Sequence, residues 1–312
     1  MENTTPALPT IQWRTKYAAA YQEDGKFIIR YRFPYSRPRE AALLGAYGLT
    51  PSDRLGYYQT LSSMVERNIM VSNYLKALDV PSVLTFENTY QKQEENGIIG
   101  IYCVTSAPVV PITKVYFASD CNALTALDVF LRLAHILRDI NKTPTSPALR
   151  YLDMDDVYLT EDNKILLGGF YYASAEGLSD PPPYLQDSAS VIPVTLTDGS
   201  PGSLGCDMQI LSQIAWNIFS GIPWDTAHTE ASKKIPPRYA PPQLQAILEL
   251  GLTSETESFN AFRKQLLACR KELAKTSFAQ QIIPIKKPFR KEYRFASDAT
   301  EEESTLLVPT TS

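Results

Sequence analysis

The sequence is poor in histidine and has no strong excess of charge of either sign. Only His135 and His228 occur among 312 residues, which restricts acid–base chemistry by imidazole. The formal charge of −4 is opposite to the basic excess of most nucleic-acid-binding proteins. No run of about eighteen apolar residues occurs, and the N-terminus lacks the basic and apolar regions of a signal peptide. We therefore expect a soluble cytoplasmic protein that spans no membrane and binds no nucleic acid.

Cysteine is also scarce, and its positions form no pattern. The thiols are far apart and include no C-x-x-C pair, so neither a zinc site nor a disulfide framework is expected. Ordinary fractions of hydrophobic (44%) and charged (21%) residues indicate a globular chain of one large domain or two medium ones. We expect buried thiols in a reducing compartment. They are Cys103, Cys121, Cys206 and Cys269.

The first third of the chain has the pattern of a small β-sheet with one main helix. Two strands between residues 17 and 33 flank the turn Glu23–Lys26 and form a hairpin. Further strands are predicted over 80–90 and 98–104. Between these strands, apolar residues at helical spacing predict a helix over 57–78.

Helical patterns dominate after residue 111. Apolar residues recur at three- and four-residue spacing from Leu124, and Asp120 precedes them as a candidate N-cap. Two short strands follow, at 157–159 and 165–167. Residues 208–219 are apolar on almost every side, which predicts a helix that is buried all round.

Three further segments complete the second half. Residues 172–206 are rich in proline, serine, glycine and aspartate and are too long for an ordinary loop, so they are either functional or disordered. A helix has Pro242 in its first turn and is expected to stop at Gly251. Residues 259–273 form a last amphipathic helix, and Cys269 belongs to its apolar stripe.

Landmarks in this second half carry a resemblance to a known family. Residues 149–159, Leu-Arg-Tyr-Leu-Asp-Met-Asp-Asp-Val-Tyr-Leu, resemble the protein-kinase catalytic loop, written His-Arg-Asp-Leu, four residues, then Asn. Residues 167–171, Leu-Gly-Gly-Phe-Tyr, follow at a suitable spacing and resemble the Asp-Phe-Gly segment. Residues 207–224 are similar to the central helix of the large kinase lobe and its closing turn. The chain thus resembles eukaryotic-type Ser/Thr protein kinases over roughly residues 15–276.

This resemblance implies an α+β fold with two lobes. The expected domains begin with an N-terminal tail over 1–14 and a small lobe over 15–110, built of an antiparallel sheet and one main helix. A larger helical lobe is expected over 111–276, followed by a flexible, basic-then-acidic tail over 277–312. The specific motifs are confined to the larger lobe.

Positions that perform phosphoryl transfer in the family hold other residues here. Tyr151 stands in the position of the catalytic aspartate, and a phenol with a pKa of about 10 is a poor base at neutral pH. Gly169 replaces the magnesium-binding aspartate and has no side chain to coordinate a metal. Asp156 replaces the asparagine that is the second ligand and could still coordinate a cation.

The nucleotide-binding positions of the small lobe are also altered. The resemblance assigns Arg30 to the position of the phosphate-binding lysine and Glu66 to that of its glutamate partner. These two residues form an ion pair between strand and helix, or Arg30 is a half-exposed residue on an edge strand. No G-x-G-x-x-G loop occurs near residues 12–26. We therefore expect weak or absent ATP binding and no cofactor.

The scaffold residues of the family are retained. They are Arg150 of the catalytic loop, Phe170, which packs between the lobes, and Asp207, which anchors the catalytic loop from the central helix. Loss of the chemical residues with retention of the scaffold is typical of a pseudokinase. We expect a binding or regulatory scaffold in phospho-signalling without ordinary phosphotransfer. The alternative is an atypical enzyme on the same fold that transfers a phosphoryl or nucleotidyl group from ATP.

Two clusters near the catalytic-loop segment allow alternative interpretations. The carboxylates of Asp153, Asp155 and Asp156 could hold a divalent cation, or they could form a solvated acidic loop that caps backbone amides. The neighbouring tyrosines could line an altered pocket, or they could fill the core with their hydroxyls at its rim. These tyrosines are Tyr151, Tyr158, Tyr171 and Tyr172.

The C-terminal tail contains a candidate phosphorylation site. Thr305 follows an acidic run that ends at Glu303 and precedes Leu306 and Leu307. This pattern resembles tail sites that bacterial Ser/Thr kinases phosphorylate and that forkhead-associated domains bind. The expected partners are a forkhead-associated domain protein or an active Ser/Thr kinase, in a bacterial source. The alternative is an acidic tail that only adds solubility.

Overall fold

The computed structural model of the chain describes residues 11–15, 18–31, 50–93, 99–144, 147, 149, 152–173, 203–224, 235–253 and 258–287. These residues combine α-helices with antiparallel sheets, so the predicted α+β class is confirmed. They divide into two compact units, one of residues 11–65 and 85–108 and the other of residues 66–84 and 109–287. The lobe boundaries that the kinase resemblance implies stay a prediction.

The first unit contains a five-stranded antiparallel sheet in the order β1-β2-β3-β5-β4. The predicted hairpin is confirmed, because Asp24 and Gly25 join β2 to β3 with φ angles of 49° and 74°. Such left-handed pairs form the two-residue turns that match strand twist. The strands are β1 (Ile11–Arg14), β2 (Ala18–Glu23), β3 (Lys26–Tyr31), β4 (Asn88–Gln93) and β5 (Ile99–Thr105).

Strand β1 corrects the prediction of an N-terminal tail over 1–14. Ile11 pairs with Tyr21 and Trp13 with Ala20, and the Trp13 side chain is buried. The register shifts between Ile11 and Trp13, so the strand is both short and irregular. A segment of this kind shows no clear alternation in the sequence. Residues 1–10 lie outside the described residues.

Strand β3 is an interior strand, with β2 on one side and β5 on the other. Phe27 and Ile29 are buried on one of its faces and Ile28 is buried on the opposite face. The interpretation of Arg30 as a residue on an edge strand is therefore wrong.

Helix α1 (Arg54–Ala77) confirms the helix predicted over 57–78, and the boundary between the two units falls inside it.

The strand predicted over 80–90 is wrong in its first half. Pro81 has no amide proton, and Ser82 has a φ of 63° that no strand accommodates. Val83 forms only a single bridge, to Leu167, and its side chain is buried in the core.

In the described part of the second unit, four complete helices and the end of α1 contribute to one shared core. In the helix Ser203–Ser220, the described side chains from Asp207 onward are buried, with Gln209 partly so, which confirms the prediction of a helix buried all round. No helix in the described ranges is long and apolar enough to cross a membrane. The four helices are α2 (Ala123–Ile140), α3 (Ser203–Ser220), α4 (Pro242–Thr253) and α5 (Phe259–Leu273).

Helix α2 begins one residue after Asn122, and not after the predicted cap Asp120. Asn122 Oδ1 accepts hydrogen bonds from the amides of Leu124 and Thr125, at 2.9 and 3.2 Å. Its Nδ2 donates to the carbonyl of Ala279 at 2.7 Å. Asn122 therefore caps the helix and ties its start to the C-terminal segment, whereas Asp120 is exposed.

Helix α4 continues past Gly251, where the sequence predicts its end. A Cβ at Gly251 would lie 2.0 Å from Ser212 Oγ of α3 and 2.8 Å from the Phe262 ring. The glycine permits close helix packing at this position and does not terminate α4.

Short strands complete the second unit. The predicted strands at 157–159 and 165–167 are confirmed as β8 (Val157–Thr160) and β9 (Ile165–Leu167), and β6 (Val109–Pro111) pairs with β8. Strands β7 (Cys121–Asn122) and β10 (Ile282–Ile283) pair with each other.

The segment after α5 is ordered where the sequence predicts the start of the flexible tail at 277. A short 3-10 helix covers Ser277–Gln280 and is followed by β10. Phe278 and Ile283 are buried in the core, so packing continues to at least Ile283. Residues 288–312, including Thr305, lie outside the described residues.

Candidate functional site

The segment that resembles the catalytic loop forms a buried acidic turn. Asp153 is the N-cap of a 3-10 helix over Met154–Asp156, and its Oδ1 accepts a hydrogen bond from the amide of Asp155 at 2.9 Å. Asp155 Oδ1 accepts a hydrogen bond from the hydroxyl of Thr113. All three carboxylates of the turn are buried, so the expectation of a solvated acidic loop is wrong, although Asp153 does cap a backbone amide.

Asp156 is the centre of a hydrogen-bonded group that includes two tyrosines. Its Oδ1 accepts hydrogen bonds from the hydroxyl of Tyr171 at 3.1 Å and from that of Tyr158 at 3.4 Å. Its main-chain oxygen accepts from the amide of Gly168 at 2.9 Å. We call Asp156, Tyr158, Gly169 and Tyr171 the Asp156 cluster.

The two tyrosine rings of the Asp156 cluster are fully buried and turn their hydroxyls toward its carboxylate. This geometry favours core filling over the lining of a pocket for Tyr158 and Tyr171. Their hydroxyls are bonded inside the core, and not at its rim as the sequence suggested. Tyr151 lies outside the described residues, as does the side chain of Tyr172.

Gly169 lies close to the side chain of Asp156. It has a φ of 76°, in the left-handed region that glycine adopts without strain. A Cβ at this position would lie 2.5 Å from Asp156 Cβ and 2.8 Å from Asp156 Oδ2. Position 169 can therefore accept no side chain while Asp156 keeps its present place.

A buried asparagine on α1 holds the segment that follows Gly169. Asn68 is fully buried, and its Oδ1 accepts a hydrogen bond from the amide of Phe170 at 2.9 Å. Phe170 is itself buried. Sequence reasoning missed Asn68. The sequence does contain a clue to Asn68, because this polar residue lies in the apolar stripe that continues through Val71 and Leu75. A side-chain amide buried at such a position needs a hydrogen-bond partner.

Asp207 connects three segments of the second unit. Its Oδ1 accepts a hydrogen bond from the amide of Leu149 at 3.1 Å, and its Oδ2 accepts one from Asn141 Nδ2 at 2.9 Å. Complete burial raises the pKa of Asp207 to about 7, against the opposing effect of these two hydrogen bonds. Arg150, which follows Leu149, lies outside the described residues.

Arg30 stacks on an aromatic pair in the first unit. Its guanidinium carbon lies 5.4 Å from the ring centroid of Tyr102, the residue opposite it on β5. Tyr102 in turn stacks on Tyr90 of β4, with 5.1 Å between ring centroids. This arrangement gives Arg30 a cation–π contact. Glu66 is exposed on α1 and belongs to the other unit, so its pairing with Arg30 stays a prediction.

The described side chains include no group of three or more His, Cys, Asp and Glu residues that could hold a metal ion. No protein-family model matches the chain, and no curated protein has a significantly similar sequence. A function must therefore be inferred from the residues themselves.

Proposed function

We propose that the chain is a pseudokinase with a small β-rich lobe and a larger helical lobe. It acts as a binding or regulatory scaffold in phospho-signalling and performs no ordinary phosphotransfer. The observation that carries this proposal is the close approach of Gly169 to Asp156.

Kinase-type transfer needs two oxygen-bearing side chains that hold magnesium between them. The kinase resemblance assigns these side chains to positions 169 and 156. A side chain at 169 would overlap Asp156, because the two Cβ atoms would be 2.5 Å apart. Asp156 also directs one carboxylate oxygen toward two buried tyrosine hydroxyls. A cation at this Oδ1 would compete with the two hydrogen bonds, and each buried hydroxyl left unpaired would cost about 1–3 kcal/mol.

Two buried hydrogen bonds support the proposed role as a scaffold. Asp207 accepts from the amide of Leu149, at the start of the segment that resembles the catalytic loop. Asn68 accepts from the amide of Phe170, in the segment that resembles Asp-Phe-Gly. Such contacts stabilise the loops of a kinase-like site without contributing phosphoryl-transfer chemistry. They favour a protein that uses its fold for binding.

A thermal-shift titration with ATP tests the absence of a working nucleotide–metal site. We expect the melting temperature to change by less than about 1 °C with ATP alone or with ATP and Mg²⁺ or Mn²⁺. The matched variants are Asp156→Asn and Asp162→Asn, since Asp162 is an exposed aspartate on the turn between β8 and β9. A large metal-dependent shift that Asp156→Asn abolishes and Asp162→Asn preserves would favour the atypical phosphoryl- or nucleotidyl-transfer enzyme instead.

We further propose that an active Ser/Thr kinase phosphorylates Thr305 and that a forkhead-associated domain then binds it. The acidic run before Thr305 and the leucines after it support this choice. A phosphate adds nearly two negative charges and strong acceptor oxygens, which suit an arginine-bearing pocket.

A titration of the host's forkhead-associated domains with peptides of residues 296–312 tests this partner. The peptide with phosphate on Thr305 should bind at least tenfold more tightly than the unmodified peptide, about 1.4 kcal/mol. A peptide with phosphate on Thr300 is the matched control, because Thr300 precedes the acidic run. Equal binding of the three peptides would show that the segment is a plain acidic tail.

A further inference from the structure

Helices α2 and α5 are joined by two polar contacts that lie along one seam. Arg270 of α5 donates two hydrogen bonds to the carboxylate of Asp128, at 2.7 and 3.0 Å. Arg263 lies against His135, with 2.8 Å between Nη1 and Nε2. In each helix the two positions are seven residues apart, about 10.5 Å at a rise of 1.5 Å per residue, and the helices run antiparallel here. We call these pairs the Asp128 contact and the His135 contact.

The His135 contact requires a neutral imidazole ring. The guanidinium group of Arg263 has N–H donors and no acceptor, so Nε2 of His135 must accept the hydrogen bond. A ring nitrogen that accepts a hydrogen bond carries no proton. Protonation of Nε2 would therefore replace this hydrogen bond with two positive groups that face each other. The Asp128 contact joins opposite charges and does not reverse in this way.

Arg263 has no described carboxylate that could offset this repulsion directly. Its Nη2 donates to Oδ1 of Asn260 on the same helix, at 3.2 Å. The ion pairs found among the described side chains do not include Arg263. The guanidinium group is therefore held at the seam by uncharged acceptors, of which His135 is the one on α2.

The surroundings of the ring favour its neutral form. Burial lowers the pKa of His135, and the positive charges of Arg263 and Arg138 lower it further. The negative charge of Asp139 and a main-chain hydrogen bond act on this pKa in the opposite direction. Asp139 is itself paired with Arg138 at 2.7 Å. Charged side chains on the neighbouring segments are Arg132, Lys142 and Lys164, of which Lys142 is paired with Asp139 and Lys164 with Asp162.

Two buried aromatic residues lie in the first half of α5, next to Arg263 in the sequence. Phe259 and Phe262 are buried, and their ring centroids are 6.1 Å apart. A Cβ at Gly251 of α4 would lie 2.8 Å from the Phe262 ring, so the two helices are in close contact here. The second half of α5 is held separately, by the Asp128 contact and by buried residues such as Cys269. Opening of the seam at the His135 contact would therefore expose the two phenylalanines first.

We propose that the His135 contact is a pH-sensitive switch, which holds the first half of α5 against α2 while the ring is neutral and releases it when the ring is protonated. This proposal goes beyond the pseudokinase assignment and does not depend on it. The pKa of His135 is lower in the folded chain than the value of about 6.5 for an exposed histidine, so the unfolded state binds more protons just below that pH. The contact therefore contributes fully to stability above about pH 6.5, and its contribution is lost as the pH falls.

Hydrogen exchange of the full chain at pH 7.5 and pH 5.0, followed by mass spectrometry, tests the switch. The exchange rates are first corrected for the intrinsic effect of pH on amide exchange. We expect the protection of the amides of residues 262–266 to fall about fivefold or more at pH 5.0, and that of residues 267–273 to fall by less than about twofold.

Two histidine variants identify the titrating group. His135→Gln should abolish the fall over residues 262–266, because glutamine can accept a hydrogen bond from Arg263 but does not titrate. His228→Gln is the matched control, since it removes the other histidine of the chain and should leave the fall unchanged. Asp207 titrates in the same pH range in all three proteins, so its effect cancels in the comparison.

The imidazole NMR signals of the native chain give a second measurement that requires no substitution in the core. His135 should titrate with a pKa below about 6.5. Arg263→Gln should raise this pKa, because it removes the positive charge and retains a donor, and Arg270→Gln at the Asp128 contact should change it less. A His135 pKa at or above about 6.5 would overturn the proposal. So would an equal loss of protection in the native chain and in His135→Gln, or a uniform loss along the whole of α5.

Discussion

Gly169 has no side chain that could bind a metal, and its surroundings leave no room for one. Its left-handed φ and its contact with Asp156 are independent constraints, and each alone would disfavour a side chain at this position. Under the pseudokinase proposal, a carboxylate introduced at position 169 therefore cannot form a metal-binding pair with Asp156 in its present place.

We predict that Gly169→Ala lowers the free energy of unfolding by more than about 2 kcal/mol. This cost combines the penalty for a side chain in the left-handed backbone region with that for an extra methyl group in a packed core. Gly25→Ala is the matched control, because Gly25 has a φ of 74° and an added Cβ would meet no described atom within 4 Å. It should cost about 1–2 kcal/mol, the conformational penalty alone. Urea denaturation monitored by the signals of each unit measures both values. Equal costs for the two variants would show that Gly169 tolerates a side chain.

Asp207 should make the protein less stable as the pH rises. Its pKa of about 7 in the folded state exceeds the value of about 3.9 for an exposed aspartate, so the folded state binds more protons between these limits. The contribution of this group is full below about pH 4 and is lost as the pH rises through about 7. The cause is burial, which penalises the charged carboxylate.

The measurement is the free energy of unfolding of the native chain minus that of Asp207→Asn, from pH 4 to pH 8. We expect this difference to fall by up to about 4 kcal/mol as the pH rises, on the order of three pKa units. The asparagine does not titrate, so common effects of other groups cancel. Parallel pH profiles for the two proteins would contradict the raised pKa.

At the scale of elements, the sequence predicts periodic segments well. The hairpin around Asp24 and Gly25, the helix α1 and the strands β8 and β9 follow from turn chemistry and apolar spacing. The errors occur where tertiary packing overrides a local signal. Gly251 resembles a helix end but makes room for Ser212, and the apolar run after Val80 is buried in a core without forming a strand.

The candidate site was harder to predict for the same reason. The kinase resemblance draws attention to Asp156 and Gly169, yet their contact depends on φ at Gly169 and on the path of the chain between them. Asn68 is separated from its partner Phe170 by 102 positions, so no local pattern links the two residues. Burial of the acidic turn likewise follows from neighbours such as Thr113, which are distant in sequence.

We predict that Asn122→Ala lowers the free energy of unfolding by about 1–3 kcal/mol, because both amides of the helix start and the carbonyl of Ala279 lose a partner. Asp120→Ala is the matched control and should change stability by less than about 0.5 kcal/mol, as Asp120 is exposed. Asn122→Asp should retain the cap, but it replaces the bond to Ala279 with a repulsion between a carboxylate oxygen and the carbonyl oxygen. If Asp120→Ala were the more damaging change, the cap assignment would be reversed.

For the whole molecule, the pseudokinase proposal requires that the residues that stabilise the fold be retained while those that would transfer phosphate are absent. The second unit preserves buried hydrogen bonds at Asp207 and Asn68, whereas the Asp156 cluster takes up the carboxylate that the family resemblance assigns to metal binding. Because residues of a catalytic unit act together, single replacements do not restore the function. Tyr151→Asp alone should therefore remain inactive.

The most direct measurement is transfer of the γ-phosphoryl group from labelled ATP with Mg²⁺ or Mn²⁺, to the chain itself and to generic protein substrates. We predict no transfer above a protein-free blank for the native chain, for Asp156→Asn, for Tyr151→Asp, or for Tyr151→Asp combined with Gly169→Asp. Each variant is first checked for cooperative unfolding, so that loss of fold is not mistaken for loss of chemistry. Robust autophosphorylation by the native chain that Asp156→Asn abolishes would contradict the pseudokinase proposal.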